Sequence, residues 1–133
     1  MHMKRIITHP EETIYELVAK SDCLEFWKSM GFEYNRAGDR DDEYYLRKTC
    51  SYGLKQEIGG LAIIQSKGQE GIANRWGCIL LPCQFERVEI LTSNDSHGIQ
   101  KLHFVGYKED CMEMYEYEGE TPIKTLTLHK LIA

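Results

Sequence analysis

The spacing of hydrophobic and polar residues changes at Gly31, from a helical period to a strand period. Before this glycine, residues 8–20 place Ile14, Leu17 and Val18 on one face of a helix. Thr8 can cap that helix, and a glutamate three residues later completes a capping box. The pattern therefore predicts a helix here, preceded by a short strand in MKRII.

A second short helix is predicted in residues 21–31, SDCLEFWKSMG. Asp22 and Glu25 form a D-x-x-E start, and Gly31 is the expected end. The two helices would be separated by a bend near Ser21.

After Gly31, alternation of apolar and polar residues predicts strands. The first two form a hairpin in residues 32–49, and a bulge is expected near Arg87. Turn signals, among them Leu81-Pro82, separate the later strands. These strands are expected in GLAIIQ, GIANRWGCIL, FERVEIL, QKLHFVGYK, CMEMYEYE and IKTLTLHK. The predicted fold class is α+β, with short N-terminal helices followed by a mainly antiparallel, curved β-sheet meander, in a single domain of residues 1–133.

Composition narrows the classes of partner. The chain has 133 residues, of which 42% are hydrophobic, and a net charge of −5, so a concentrated basic surface for nucleic acid is not expected. No apolar run reaches the roughly 18 residues that span a bilayer, and no apolar segment of a signal peptide follows the first residues. We therefore expect no nucleic-acid or membrane partner and a cytoplasmic location.

The cysteine pattern argues against a thiol or metal site. The five cysteines include Cys78 and Cys83, which are five residues apart and do not form a C-x-x-C pair. Reduced thiols that pack as small apolar groups are the simpler interpretation, and no cofactor is expected.

One local motif resembles a known family. Residues 71–90, GIANRWGCILLPCQFERVEI, are similar to a unit of the WG-repeat family, with Arg75, Trp76 and Gly77 in place of its "KWG" strand. Leu81-Pro82 and the following Phe-Glu-x-Val run correspond to the second part of the unit. The resemblance implies β-hairpin units that stack and that act in binding rather than catalysis.

A second resemblance lies near the N-terminus. Residues 4–36, with the step Phe26-Trp27-Lys28-Ser29-Met30-Gly31-Phe32-Glu33, are similar to the start of vicinal-oxygen-chelate (glyoxalase-like) proteins and to a segment of acetyltransferases. The first family implies an alternative function, a degenerate metal-dependent enzyme acting on a small molecule. Its metal ligands would be His9, His103 and Glu116, with Glu118 as the alternative carboxylate, because two histidines and a carboxylate suit a divalent metal.

Aromatic residues provide the leading candidates for a binding surface. Tyrosine offers apolar area with a polar tip at low entropic cost, although many such residues instead pack within a sheet. The candidate binding residues are Tyr44, Tyr45, Arg75, Tyr107, Tyr115 and Tyr117. We expect a non-catalytic binding module that contacts a protein or sequesters a small ligand. Its acidic charge would suit neutralisation of a basic partner, as in an immunity or counter-defence protein, and self-association is a further alternative.

Overall fold

The computed structural model describes residues 3–9, 11–119 and 121–129, with side chains from residue 11 onward. The first four strands form one antiparallel sheet, which we call sheet A, in the spatial order β1-β2-β4-β3. A single 3-10 turn and one short helix, Ser21–Cys23 and α1 (Leu24–Ser29), connect β2 to β3. The strands of sheet A are β1 (Met3–His9), β2 (Glu12–Lys20), β3 (Glu33–Ala37) and β4 (Glu43–Cys50).

Two further antiparallel sheets follow, and each has its four strands in sequence order. Sheet B contains β5 (Gly53–Ile58), β6 (Leu61–Ser66), β7 (Gln69–Asn74) and β8 (Ile79–Phe85). Sheet C contains β9 (Arg87–Asn94), β10 (Gln100–Tyr107), β11 (Cys111–Tyr117) and β12 (Ile123–His129). Short connections suffice throughout because neighbouring antiparallel strands need only a hairpin.

Sheet B lies between the other two sheets. One of its faces contributes Ala62, Ile64 and Ala73 to a core shared with sheet A and α1. Its opposite face packs against sheet C and contributes a second apolar set, Leu61, Ile63, Ile72, Leu81 and Phe85. The continuous apolar run of β6 is explained by this position, because a strand covered on both faces has no solvent side to keep polar.

The predicted α+β class is wrong. The chain is 65% strand and only 8% helical, and its strands form three sheets rather than one curved meander. The main error is the first predicted helix, since residues 12–20 are β2. In this strand alternate residues are fully buried, and they are Thr13, Tyr15, Leu17 and Ala19. The predicted helix cap at Thr8 concerns a side chain that the structure does not describe.

Other predictions are confirmed at the level of elements. The helix predicted in residues 21–31 is present as the 3-10 turn and α1, and the hairpin predicted in residues 32–49 is present as β3 and β4. Each later predicted segment contains a strand, and the pairing is antiparallel as expected.

The segment RWGCILLPCQF folds differently from the prediction. Trp76 and Gly77 lie in the turn between β7 and β8, whereas Pro82 lies inside β8 rather than in a turn. Pro82 is tolerated because β8 is the edge strand of sheet B and its pairing with β7 is irregular beside Gly71.

The bulge expected near Arg87 is absent from the described pairing of β9 with β10, which is regular from Arg87 to Asn94. The chain instead leaves sheet B at Glu86, whose backbone N–H donates to the Tyr107 carbonyl at 2.8 Å. The irregular alternation of FERVEIL therefore marks a change of sheet.

Candidate functional site

Two of the candidate tyrosines lie in β4 and point to opposite faces of sheet A. Tyr44 packs on the core beneath the sheet and makes an edge contact with Tyr34, with ring centroids 5.9 Å apart. Tyr45 lies on the outer face, where the Arg36 guanidinium is 3.9 Å from its ring centroid and its hydroxyl is 3.4 Å from Asp39. The two side chains therefore do not form one surface.

Arg75 is exposed at the turn that precedes β8. Its guanidinium lies 4.3 Å from the ring centroid of Trp76. The Asn74 side chain shapes this turn, because its Oδ1 accepts hydrogen bonds from the backbone N–H groups of Trp76 and Cys78, each at 3.0 Å. This geometry holds the turn in place and leaves Arg75 distant in the fold from sheet C.

Tyr115 and Tyr117 lie on the inner face of sheet C, toward sheet B. The Tyr115 hydroxyl donates to Glu113 Oε2 at 2.5 Å, and burial together with this carboxylate raises the pKa of Tyr115. Tyr117 stacks on Phe104 with ring centroids 5.0 Å apart, and burial raises its pKa. Both tyrosines serve the core between the two sheets.

Tyr107 lies on the opposite, outer face of sheet C. The Arg87 guanidinium lies 4.1 Å from its ring centroid, and Arg87 is its direct partner on β9. Among the six candidates, Tyr107 alone belongs to this face.

The strand register shows which residues share the outer face. Directly paired residues on neighbouring strands point to the same side of a sheet, so the register gives successive rows across the four strands. The first row is Arg87, Tyr107, Met112 and Leu128; the second is Glu89, Val105, Met114 and Leu126; the third is Leu91, His103, Glu116 and Ile123. We call these twelve residues the outer face of sheet C.

Eight of these twelve residues are apolar, and the apolar residues of the edge strands β9 and β12 are exposed, whereas Val105 at the centre of the face is only 2% exposed. Leu91, Leu126 and Leu128 are 43%, 44% and 48% exposed, and Ile123 is 68% exposed. Single exposed apolar residues are normal, but four on one sheet face, beside the partly exposed Met112 and Met114, mark a candidate contact surface.

Two of the charges on this face, those of Arg87 and Glu89, neutralise each other. Arg87 Nη1 lies 2.6 Å from Glu89 Oε1. His103 Nε2 and Ser93 Oγ are 2.8 Å apart, and Glu116 is the direct cross-strand partner of His103. Such a face can be covered without leaving a strong field of one sign.

The outer face of sheet A has the opposite character. Its residues include Glu16 and Arg47, which form an ion pair at 3.1 Å, and the Arg36–Tyr45 stack. Glu33 is paired with Arg47 on the neighbouring strand. The two ends of the three-sheet stack therefore differ in degree: the outer face of sheet A carries more charged side chains, although Ile14 and Val18 also lie on it.

A cavity of about 410 Å³ opens at one end of the apolar face. Its lining includes Arg87, Tyr107, Met112 and Leu128 from the first row, together with Lys108 from the adjoining turn. Lys108 already contacts Glu113 at 3.1 Å and Arg87 already contacts Glu89, so both cations have partners. The cavity is best described as the end of the apolar face.

The proposed metal ligands are only partly brought together. His103 and Glu116 are neighbours on β10 and β11, whereas His9 is the last residue of β1 in sheet A and its side chain is not described. Sheet B lies between sheets A and C. Within the described residues, no group of three or more His, Cys, Asp or Glu side chains is arranged to hold a metal ion.

Cys78 and Cys83 lie in separate, structural surroundings. Cys78 Sγ is 3.9 Å from Lys48 Nζ, which also donates to the Trp76 carbonyl at 3.3 Å. Cys83 packs against the core between sheets A and B, and burial raises the pKa of its thiol. All five cysteines are free.

Most of the apolar face could not be recognised from the sequence. The alternation of β11 separates Met112 and Met114 from Tyr115 and Tyr117, but it does not show which side is covered. The tyrosines are the more prominent feature of this sequence, but Tyr115 and Tyr117 lie on the side of β11 that packs against sheet B. The leucines of β12 are visible in the sequence, but only the strand register shows that Leu128 and Leu126 lie beside Met112 and Met114.

Comparisons with known proteins give no relative: no family model, no curated protein and no solved structure matches this chain. In the part of the chain that the structure describes, no helix has the length and apolar character needed to cross a membrane.

Proposed function

We propose that this protein is a non-catalytic binding module that contacts a protein partner through the outer face of sheet C. The observation that carries the proposal is the set of four exposed leucine and isoleucine side chains on β9 and β12, beside the partly exposed Met112 and Met114, while the outer face of sheet A carries more charged side chains. Covering apolar area is the main favourable term in protein association, which gives this face a stronger tendency to bind than its counterpart.

The extent of the face favours a protein over a small ligand. Four strands about 4.8 Å apart and five residues about 3.4 Å each make a surface of roughly 19 Å by 17 Å. A drug-sized ligand is normally enclosed in a concave pocket, whereas these side chains are spread across a whole sheet. A folded partner with an apolar sheet or helix face is the occupant that fits this shape.

The proposal includes a cytoplasmic location, which five free cysteines support because reduced thiols persist in a reducing compartment. We also retain as a proposal the likeness of residues 71–90 to a WG-repeat unit. In this chain the Trp76-Gly77 turn is a docking element between sheets, because the Gly77 carbonyl accepts a hydrogen bond from the buried Tyr52 hydroxyl.

Photo-cross-linking in the producing cell tests the proposed face. Photo-methionine would replace all five methionines, and mass spectrometry would identify the cross-linked peptides that carry Met30, Met112 and Met114. We expect partner peptides joined to Met112 or Met114. Leu126→Glu should abolish these adducts, because it places a charge beside Met114 without removing either methionine.

Ile79→Glu is the matched control. Ile79 is 56% exposed on the edge strand of sheet B, as Leu126 is 44% exposed on the edge strand of sheet C. Adducts should survive this change. Adducts that persist in Leu126→Glu, or that form at Met30 and at neither Met112 nor Met114, would contradict the proposal.

A further inference from the structure

The three sheets stack in the order A, B, C, and the two internal contacts follow one rule: an apolar sheet face is covered by another apolar sheet face. Sheet B meets sheet A through Ala62 and Ile64, and it meets sheet C through Leu61 and Ile63. The outer face of sheet C is more mixed: it carries Met112, Met114 and the exposed leucines of β9 and β12, together with four ionisable residues. Its exposed apolar side chains would be covered if another apolar sheet face packed on them.

We propose that the cover is the outer face of sheet C of a second copy of this chain, packed in a two-fold symmetric dimer. This inference rests on the proposed function and names the partner. The dimer would stack the sheets as A, B, C, C, B, A, with the central pair about 10 Å apart as in other face-to-face sheet packings.

The difference between the two end faces selects the symmetry. A head-to-tail contact would place the apolar face of sheet C against the Glu16–Arg47 ion pair and the Arg36–Tyr45 stack of sheet A. Repeated contacts of that kind form rings or filaments, and here each would desolvate charges against apolar side chains. An isologous contact joins apolar surface to apolar surface and closes after two copies.

The charges of the face are compatible with its own copy. Arg87 and Glu89 neutralise each other at 2.6 Å, so covering this pair does not bury a lone charge. His103 and Glu116 lie side by side in the third row.

The area of the face agrees with a weak, reversible dimer. Two planar faces of roughly 320 Å² each give about 650 Å², and protruding side chains raise the accessible area above this value. Stable interfaces begin near about 1,200 Å² in total, so we expect a dissociation constant on the order of micromolar.

Sedimentation equilibrium of the full chain from about 1 to about 300 µM tests the dimer. We expect a monomer–dimer equilibrium for the unaltered sequence. Leu126→Glu should weaken dimerisation by at least about 30-fold, because the symmetry places the new charge in the interface twice. Ile79→Glu should change it by less than about 2-fold, since Ile79 lies outside the face.

Salt provides a second discriminating measurement. Each chain carries a net charge of −5, so two copies repel each other at low ionic strength. Raising the salt concentration from about 0.05 to about 0.5 M screens this repulsion and strengthens apolar contacts, and the dimer should tighten. A dimer that dissociates with added salt would be held by ion pairs and would contradict the proposed interface.

Methionine oxidation footprinting tests the dimer with the unaltered chain, so its result does not depend on whether a variant folds. Oxidation of Met112 and Met114 by peroxide should slow as the protein concentration passes the dissociation constant, while Met30 on the other side of the molecule should react at a constant rate. A chain that stays monomeric, or a dimer whose formation leaves Met112 and Met114 unprotected, overturns the inference.

If a monomeric chain still cross-links to another protein at Met112 or Met114, this inference fails and the proposed function stands. If neither dimer nor cross-link is found, both fail.

Discussion

Gly77 shows how one residue can satisfy two constraints at once. Its φ is +80°, a left-handed conformation that side chains rarely adopt, and a Cβ at this position would lie 2.7 Å from the Tyr15 ring. Its carbonyl accepts a hydrogen bond from the buried Tyr52 hydroxyl at 2.9 Å, and that hydroxyl is 3.2 Å from the Tyr15 hydroxyl. The turn before β8 is thereby fixed against sheet A.

We predict that Gly77→Ala lowers the free energy of unfolding by about 2 to 4 kcal/mol. Roughly 1 kcal/mol comes from the positive φ, and the remainder comes from displacing the Tyr15 ring in a packed core. Urea denaturation followed by circular dichroism measures the change.

Gly98→Ala is the matched control for Gly77→Ala. Gly98 has φ +78°, but nothing lies within 4 Å of a Cβ at this position. We expect a loss of about 1 kcal/mol, from the backbone conformation alone. Equal losses in the two variants would show that the contact with Tyr15 is unimportant.

β11 is the element that divides the molecule into core and candidate interface. Its buried side carries Cys111, Glu113 and Tyr115, and its other side carries Met112 and Met114. Strand alternation assigns these residues to two sides from the sequence alone. The buried carboxylate of Glu113 needs hydrogen-bonding partners, and these are Tyr115 and Lys108.

Glu113 should make stability depend on pH. The Tyr115 hydroxyl donates to its carboxylate, and this hydrogen bond, followed by Lys108 and Lys124, lowers the pKa of Glu113 from the ordinary value of 4.5 although burial opposes the change. The unfolded chain therefore takes up the proton more readily than the folded chain. The resulting stability is present above about pH 4.5 and is lost as the pH falls through the lowered folded pKa.

We predict that Glu113→Gln reduces the acid-induced loss of stability between about pH 5 and pH 2.5. Tyr115→Phe should also reduce it, because this change removes the main cause of the lowered pKa. Urea denaturation at a series of pH values measures both. Glu109→Gln, at an exposed position of the neighbouring turn, should leave the wild-type pH dependence intact. An unchanged acid dependence in Glu113→Gln would rule out this role.

β2 shows why a short element can be misread from its sequence. Ile14, Leu17 and Val18 fit a helical face, while Thr13, Tyr15, Leu17 and Ala19 fit a strand face. Both periods are present, and pairing with β1 and β4 decides between them. The strand then buries Tyr15 and Leu17 against sheet B.

At the scale of the whole molecule, Glu70 links sheets B and C. It lies on β7, is only 8% exposed, and its Oε1 accepts a hydrogen bond from the Val88 backbone N–H at 3.0 Å. Its other oxygen pairs with Lys55 of β5. Because Val88, the second residue of β9, is itself buried, losing this acceptor would leave a buried donor without its partner.

We predict that Glu70→Ala destabilises the protein by about 1 to 3 kcal/mol. Glu70→Gln keeps an acceptor for Val88 and loses only the ion pair with the half-exposed Lys55, so its cost should not exceed about 1 kcal/mol. Urea denaturation of both variants separates the two contributions. Equal losses would mean that the hydrogen bond to Val88 contributes little.

The local chemistry of this protein is readable from its sequence. Most strands, the short helix and the hairpin in residues 32–49 follow from alternation, helix caps and turn residues, because these signals act over a few neighbouring positions. The exclusion of a C-x-x-C thiol pair likewise depends only on spacing. The alternation of β11 by itself places the methionines and the tyrosines on opposite sides of the strand.

The tertiary structure decided what alternation leaves open. It resolved the two periods of β2 in favour of a strand, placed Trp76-Gly77 in a turn, and divided the strands among three sheets. It also covered the side of β11 that carries Tyr115 and Tyr117 and left Met112 and Met114 on the other side. The physical reason is that alternation assigns side chains to two faces of a strand but does not show which face is buried. Only the stacking of sheets that are distant in sequence determines which face is covered.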